Sequence, residues 1–89
     1  MTDAYEVVIA ANASRDIRRL PHEAQRRVVA GLTVLALEPR AGKPLTGVLS
    51  GLWALRRGDY RVLYRIDDRA RRVEIARVGH RREVYRRPD

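Results

Sequence analysis

Apolar positions recur along this 89-residue chain with two different periods. Tyr5 to Ala10 (YEVVIA) reads as a first strand, with Val7 and Ile9 on one face and Val8 on the other. The period then lengthens. Ala13, Ile17 and Leu20 recur at helical spacing while Arg15, Arg18 and Arg19 face outward. Asn12 or Ser14 is expected to cap this helix, with Asp16 favourable at the positive end of its dipole. Pro21 closes it and can open the next, because proline suits a first helical position. The second helix is expected from His22 to Leu37. Its stripe of Ala24, Val28, Leu32 and Leu35 is widened by Val29 and Ala36, and Gly31 implies close packing against the neighbouring helix. Glu38-Pro39 ends it, since the residue before proline avoids the α region. Arg40 to Gly51 reads as a loop pinned to the core by Leu45, Val48 and Leu49.

The remainder alternates as strands do. Leu52 to Arg56 runs to a turn at Arg57-Gly58-Asp59. Tyr60 to Ile66 follows, with Tyr60, Val62, Tyr64 and Ile66 on one face and Arg61, Leu63 and Arg65 on the other. After a turn at Asp67 to Ala70, Arg72 to Val78 places Val73 and Ile75 on one face and Glu74, Ala76 and Val78 on the other. Gly79 is expected to break this strand before the tail His80-Arg81-Arg82-Glu83-Val84-Tyr85. The order β-α-α-β-β-β predicts one small α+β domain spanning 1–89, a helical hairpin packed on a mostly antiparallel sheet. Tyr60 and Tyr64 are expected in packing roles, Trp53 in packing or in contact with a partner, Asp59 in the turn and His22 in solvent.

Charge changes the picture. Nineteen basic residues against eleven acidic give +8, and every basic residue except Lys43 is arginine. The guanidinium fork pairs bidentately with phosphate and stacks on bases, so the balance favours a polyanionic partner such as nucleic acid. Arg56, Arg61, Arg65 and Arg81 are expected to converge on a concave positive surface with His80 and Tyr85 at its rim. The alternative is a two-sided sheet whose wet face is merely arginine-rich. The chain has no cysteine, which rules out disulfides and thiolate metal sites, and its two histidines, far apart, make a poor zinc site. Neither a signal-type N-terminus nor an apolar run of membrane length occurs, which predicts a soluble cytoplasmic protein with no membrane association.

Two segments carry a resemblance. Lys43-Pro44-Leu45 leads into a glycine-rich loop and LWALRRGDYRVLY (52–64); about 20 residues on, VGHRREVY (78–85) closes the chain. The pair resembles the RelE/ParE superfamily of bacterial type II toxins, most closely its RelE side. The resemblance implies the RelE-like fold and a toxin neutralised by a cognate antitoxin (RelB/Phd-like) in a hetero-oligomer. It also implies a ribosome-dependent endoribonuclease that cuts mRNA in the ribosomal A site without metal or other cofactor. The 2′-hydroxyl attacks the neighbouring phosphate, leaving a cyclic phosphate and a free 5′-hydroxyl. That reaction needs a proton acceptor, a proton donor and positive charge on the phosphate.

Carried over by position, Arg61 and Arg81 would hold the scissile phosphate, and Tyr85 would act as general base or stacking platform. His80 is a second candidate for proton transfer, since imidazole exchanges its proton near neutral pH. Arg56, Arg57, Arg65 and Arg82 would contact RNA. Where ribosome-dependent RNases of the family carry lysines, this chain has Leu52 and Ala54. Two alternatives therefore stand beside the RNase: a ParE-like inhibitor of DNA gyrase, and a non-toxic antitoxin-binding module.

Overall fold

The computed structural model describes residues 4–86. Strand β1 (Glu6–Ile9) runs into α1 (Ala11–Arg18) and α2 (His22–Leu37), followed by a 3₁₀ turn at Pro39–Ala41. A two-residue strand β2 (Lys43–Pro44), a second 3₁₀ turn at Gly47–Leu49, and strands β3 (Trp53–Arg57), β4 (Tyr60–Asp67) and β5 (Arg72–His80) complete the sheet; a last 3₁₀ turn, Val84–Arg86, follows it. The strand order is β1-β5-β4-β3-β2, with β1 parallel to β5 and every other pairing antiparallel. This is the expected α+β architecture with one strand more than the pattern predicted. Two residues are too few to show a period, and Pro44 is tolerated because β2 lies at the sheet edge.

Both helices lie on one face of the sheet. Ala13, Val28, Leu32 and Leu35 meet Leu55, Val62, Tyr64, Val73, Ile75 and Val78 in one core. Burying each of the larger aliphatic side chains contributes on the order of 2 kcal/mol. The α2 stripe is as expected except for Val29, which is 52% exposed. The expected anchor Val48 is 99% exposed as well. Gly31 does mark a close approach, but to the sheet: a Cβ there would sit 2.6 Å from Nε of Arg57 and 3.1 Å from Leu55.

The first helix begins earlier than its polar residues suggested. Ala10 still donates its N–H to Ile75 in the sheet (3.0 Å) while its carbonyl accepts from Ser14 N–H (2.9 Å), so strand passes to helix without a side-chain cap. Asn12 and Ser14 instead accept from Arg15 and Arg18. Asp16 lies beyond the first turn. Its Oδ2 accepts from Arg77 Nε (2.8 Å) and from the backbone N–H of Val78 (3.0 Å). That N–H lies past the last β1–β5 pair, so Asp16 satisfies a donor that β1 is too short to reach. The Asp16–Arg77 pair is among the better-buried ion pairs, with side chains 13% and 25% exposed.

Strand β5 departs from simple alternation. Leu63 pairs with Arg77 but Tyr64 pairs with Ile75, so Ala76 is left over as a bulge. The extra residue moves Val78 onto the face of Val73 and Ile75, against the expected pattern. Gly79 does not break the strand: it pairs with Arg61, and His80 pairs with Tyr60. The returning tail packs over it, and a Cβ at Gly79 would meet Val84 at an ordinary contact distance of 3.4 Å.

Two polar clusters tie the loops down. Tyr64 is fully buried; its hydroxyl donates to the Pro39 carbonyl (2.7 Å) and accepts from Gly42 N–H (3.1 Å). On the surface, Asp68 accepts from the Tyr5 hydroxyl (2.6 Å) and from both Nη atoms of Arg40 (3.1 and 2.6 Å), while Arg40 lies over the Trp53 ring. The Arg40 fork and then the Tyr5 hydroxyl hold the Asp68 carboxyl at about 2, below its ordinary 3.8. A depressed carboxyl stabilises the fold above its unfolded pKa and loses that contribution as pH falls through the folded value. We expect Asp68→Asn to melt below the wild type at neutral pH, the gap closing as pH falls from about 4 to about 2. Melting curves at pH 7, 4 and 2 check this; a gap that persists unchanged to pH 2 would contradict it.

Candidate active site

The face of the sheet away from the helices carries the candidate chemistry. Alternation along β3 turns Leu55 to the core and leaves Ala54 and Arg56 on the opposite face; along β4 it does the same for Arg61, Leu63 and Arg65. Edge strand β2 adds Lys43, which pairs with Ala54. The tail returns over Gly79, with Val84 buried and Tyr85 36% exposed. Together Lys43, Ala54, Arg56, Arg61 and Tyr85, with Gly42 and Leu45, line an open groove of about 430 Å³. Among the described residues, no carboxylate and no histidine line it.

The β3–β4 hairpin positions the arginines. Gly58-Asp59 is a two-residue turn with positive φ at Gly58 (61°) and not at Asp59, the pattern of a type II′ turn. Arg61 folds back on it, Nη1 donating to the carbonyls of Gly58 (2.9 Å) and Tyr60 (3.0 Å). Arg81, just past the end of β5, donates its backbone N–H to the Asp59 carbonyl (2.8 Å) and holds Nε 3.6 Å from the Asp59 carboxylate. Both guanidiniums are thus gathered at one turn. Asp59 is the turn residue expected and in addition holds Arg81.

Not every expected residue joins them. The register Arg61↔Gly79 and Tyr60↔His80 puts His80 on the face of Tyr60, not that of Arg61. Its ring meets Tyr60 edge-on at 5.7 Å, and Nδ1 accepts from Arg82 N–H (3.2 Å). His80 therefore lines a different cleft, of about 580 Å³, with Tyr60, Asp16 and Arg77. The expectation that it shares a rim with Tyr85 fails because β5 continues through Gly79. Arg57 is likewise on the helix face, stacked over Gly31 with its Nε buried and unpartnered. Arg65 shares the face of Arg61 but stands four residues along β4, about 13 Å away, where it pairs loosely with Glu74 (3.7 Å). Arg82 is exposed in the turn after β5. Lys43 was visible only as part of a motif; no periodicity could place it opposite Ala54.

The acids are unevenly spread. Glu74, Glu6 and Asp68 pair with Arg65, Arg72 and Arg40, away from the groove, while the side chains of Lys43 and Arg56 make no hydrogen bond or ion pair among the described residues. Unpaired positive charge is left in the groove. No helix among the described residues is long and apolar enough to cross a membrane.

A helical hairpin on a five-stranded mixed sheet, with arginines and a tyrosine on the open face, defines a small basic α+β protein with a positively charged groove. The ParE toxin family of type II toxin-antitoxin systems (parDE) matches residues 7–85, and the chain belongs to it. It is 45% identical over 88 residues to Toxin RelE of Mycobacterium tuberculosis (92% of this chain, 87% of that protein). Toxin RelG of the same organism is 46% identical over 85 residues (93% and 98%). Among solved structures, the RelBE2 toxin-antitoxin complex of M. tuberculosis contains a chain 44% identical, with a TM-score of 0.81, covering 86% of this chain and 98% of that one. The chain is a toxin of the RelE/ParE superfamily.

Proposed function

We propose that this toxin is a ribosome-dependent endoribonuclease that cuts mRNA in the ribosomal A site and is held inactive by a cognate antitoxin of the RelB/Phd type. The observation that carries the reading is the groove: Arg61, Arg56 and Tyr85 line one open face with no carboxylate among the described residues, and Arg81 stands at the adjoining turn beside Asp59. Arg61 and Arg81 hold the scissile phosphate and stabilise the charge it gains. The Tyr85 oxygen takes the proton of the attacking 2′-hydroxyl, or the ring stacks a base. Arg56 continues the positive track, and Arg65 and Arg82 serve backbone contacts outside the groove; Arg57, packed on the helix face, does not. His80, across the sheet, takes no part in the step. The relatives named RelE and RelG support an RNase, while the ParE family match favours a second reading, inhibition of DNA gyrase.

The antitoxin reading rests on the M. tuberculosis relative, which was solved as a toxin-antitoxin complex. An acidic antitoxin segment laid over the groove covers the same charges the RNA uses.

Induction in a bacterium lacking the antitoxin, with mRNA 5′ ends mapped, separates the readings. The RNase reading expects new ends inside translated codons, lost in Arg81→Ala and Tyr85→Phe. Growth arrest with DNA-damage signalling and no such ends would move the function to gyrase.

A further inference from the structure

We infer that Lys43 is a catalytic residue of the groove, the side chain that protonates the 5′ oxygen as it leaves. The inference rests on the endoribonuclease reading and goes beyond it, because that reading leaves the leaving group without a proton donor. Cleavage forms a bond from the 2′ oxygen to phosphorus and breaks the bond from phosphorus to the 5′ oxygen. One proton leaves the 2′-hydroxyl for Tyr85, which accepts it as the phenolate, and one must reach the departing alkoxide from elsewhere. The groove offers few sources. Among the described residues it contains no carboxylate and no histidine, and its arginines do not release protons under ordinary conditions. His80, the other side chain suited to proton transfer, is on the opposite face. Apart from Tyr85, Lys43 alone among the groove's described lining residues can give up a proton.

Position agrees with chemistry. Lys43 pairs with Ala54, so its side chain leaves the sheet on the face of Arg56 and Arg61, one pair of residues along from the Arg56↔Arg61 row. Lys43 and Arg61 lie two strands and two residues apart, about 12 Å between Cα atoms. Both side chains line the same groove, Lys43 from the edge strand and Arg61 from the turn where its guanidinium is held, so a phosphate in the groove lies between them. The β3 side chain at this point is only a methyl group, Ala54, so nothing on that strand competes for the space. Lys43 is exposed and pairs with no carboxylate among the described residues, so none of them ties up its ammonium. Its backbone is nonetheless held, because Gly42 donates its N–H to buried Tyr64 on one side and Lys43 is paired to β3 on the other. The edge strand therefore presents a proton-bearing cation beside an alanine on β3.

The test uses the whole toxin on ribosomes programmed with mRNA, comparing an ordinary scissile linkage with one carrying sulfur at the 5′ bridging position. A thiolate leaves without a proton, because thiols ionise far more readily than alcohols. Lys43→Ala is expected to slow cleavage of the oxygen linkage by about 100-fold or more, the scale of a lost general acid. Lys43→Arg should be equally slow, since a guanidinium keeps charge but not a transferable proton. On the sulfur linkage both variants should approach the wild-type rate. Rescue by Lys43→Arg would show that charge alone matters and would overturn the proton role, as would a defect of Lys43→Ala that persists on sulfur or Lys43→Ala cutting oxygen at the wild-type rate. A wild-type chain that cuts neither substrate would instead sink the endoribonuclease reading itself.

Discussion

Arg61→Ala is expected to lower cleavage of ribosome-bound mRNA by a factor on the order of 10² to 10³, the effect of deleting one preorganised donor from a site where charge develops. Preorganisation is the reason for so large an effect. The two carbonyl contacts of Nη1 fix the guanidinium before substrate arrives, so little rotamer freedom is lost on binding. Nε and Nη2 have no partner among the described residues and are left to a phosphate, which a guanidinium engages with two parallel hydrogen bonds. Arg61→Lys should recover little, because an ammonium cannot grip the turn and present a fork at once. Stability should change little, since water can replace Arg61 at the turn carbonyls. The check is single-turnover cleavage alongside a thermal melt. Cleavage by Arg61→Ala at the wild-type rate would remove Arg61 from the chemistry.

Gly42→Ala is expected to cost about 2–3 kcal/mol, in the range of overpacking a tight contact, and so to lower Tm by roughly 10–20 °C. The backbone angle at Gly42 is ordinary (φ −83°); the constraint is contact. A Cβ there would fall closer to the Ala54 carbonyl oxygen than real Cβ atoms come, and 2.6 Å from the Tyr64 hydroxyl. Neither neighbour is a flexible side-chain end. Ala54 is in the sheet, and Tyr64 is fully buried with its hydroxyl engaged at Pro39 and Gly42. The strain must move the segment that carries Lys43, so cleavage should fall in the folded fraction too. Tyr64→Phe tests the same hub by subtraction. It leaves the Pro39 carbonyl and Gly42 N–H without their partner, at a cost of about 1–3 kcal/mol. A Gly42→Ala protein melting with the wild type would refute the close contact.

Local pattern carried most of the architecture. The α2 stripe, the alternation of β4 and the turn at Gly58-Asp59 each obey a short period or a residue-specific backbone preference, and these act over a few neighbours. The same alternation put Arg61 and Arg65 on one face. It failed where a distant contact set the outcome. The Ala76 bulge depends on the pairing of β4 with β5, and the run through Gly79 to His80 depends on the partner residues Arg61 and Tyr60. A single strand's period contains no information about either. The misplacement of His80 and of Val78 follows from that.

The sequence by itself determined the excess of arginine, the two helices, the three-strand meander and the family to which the chain belongs, because each is written in composition, in period or in a contiguous motif. Tertiary structure alone decided which charges meet. It turned Asp16 from a helix-end residue into the partner of Arg77 and the Val78 N–H, and it sent His80 to the helix face. It also brought Lys43, some twenty residues earlier in the chain, to the groove of Arg61. Such juxtapositions span two or more strands. They are fixed by register and packing between segments far apart in sequence, and a one-dimensional pattern holds no record of them.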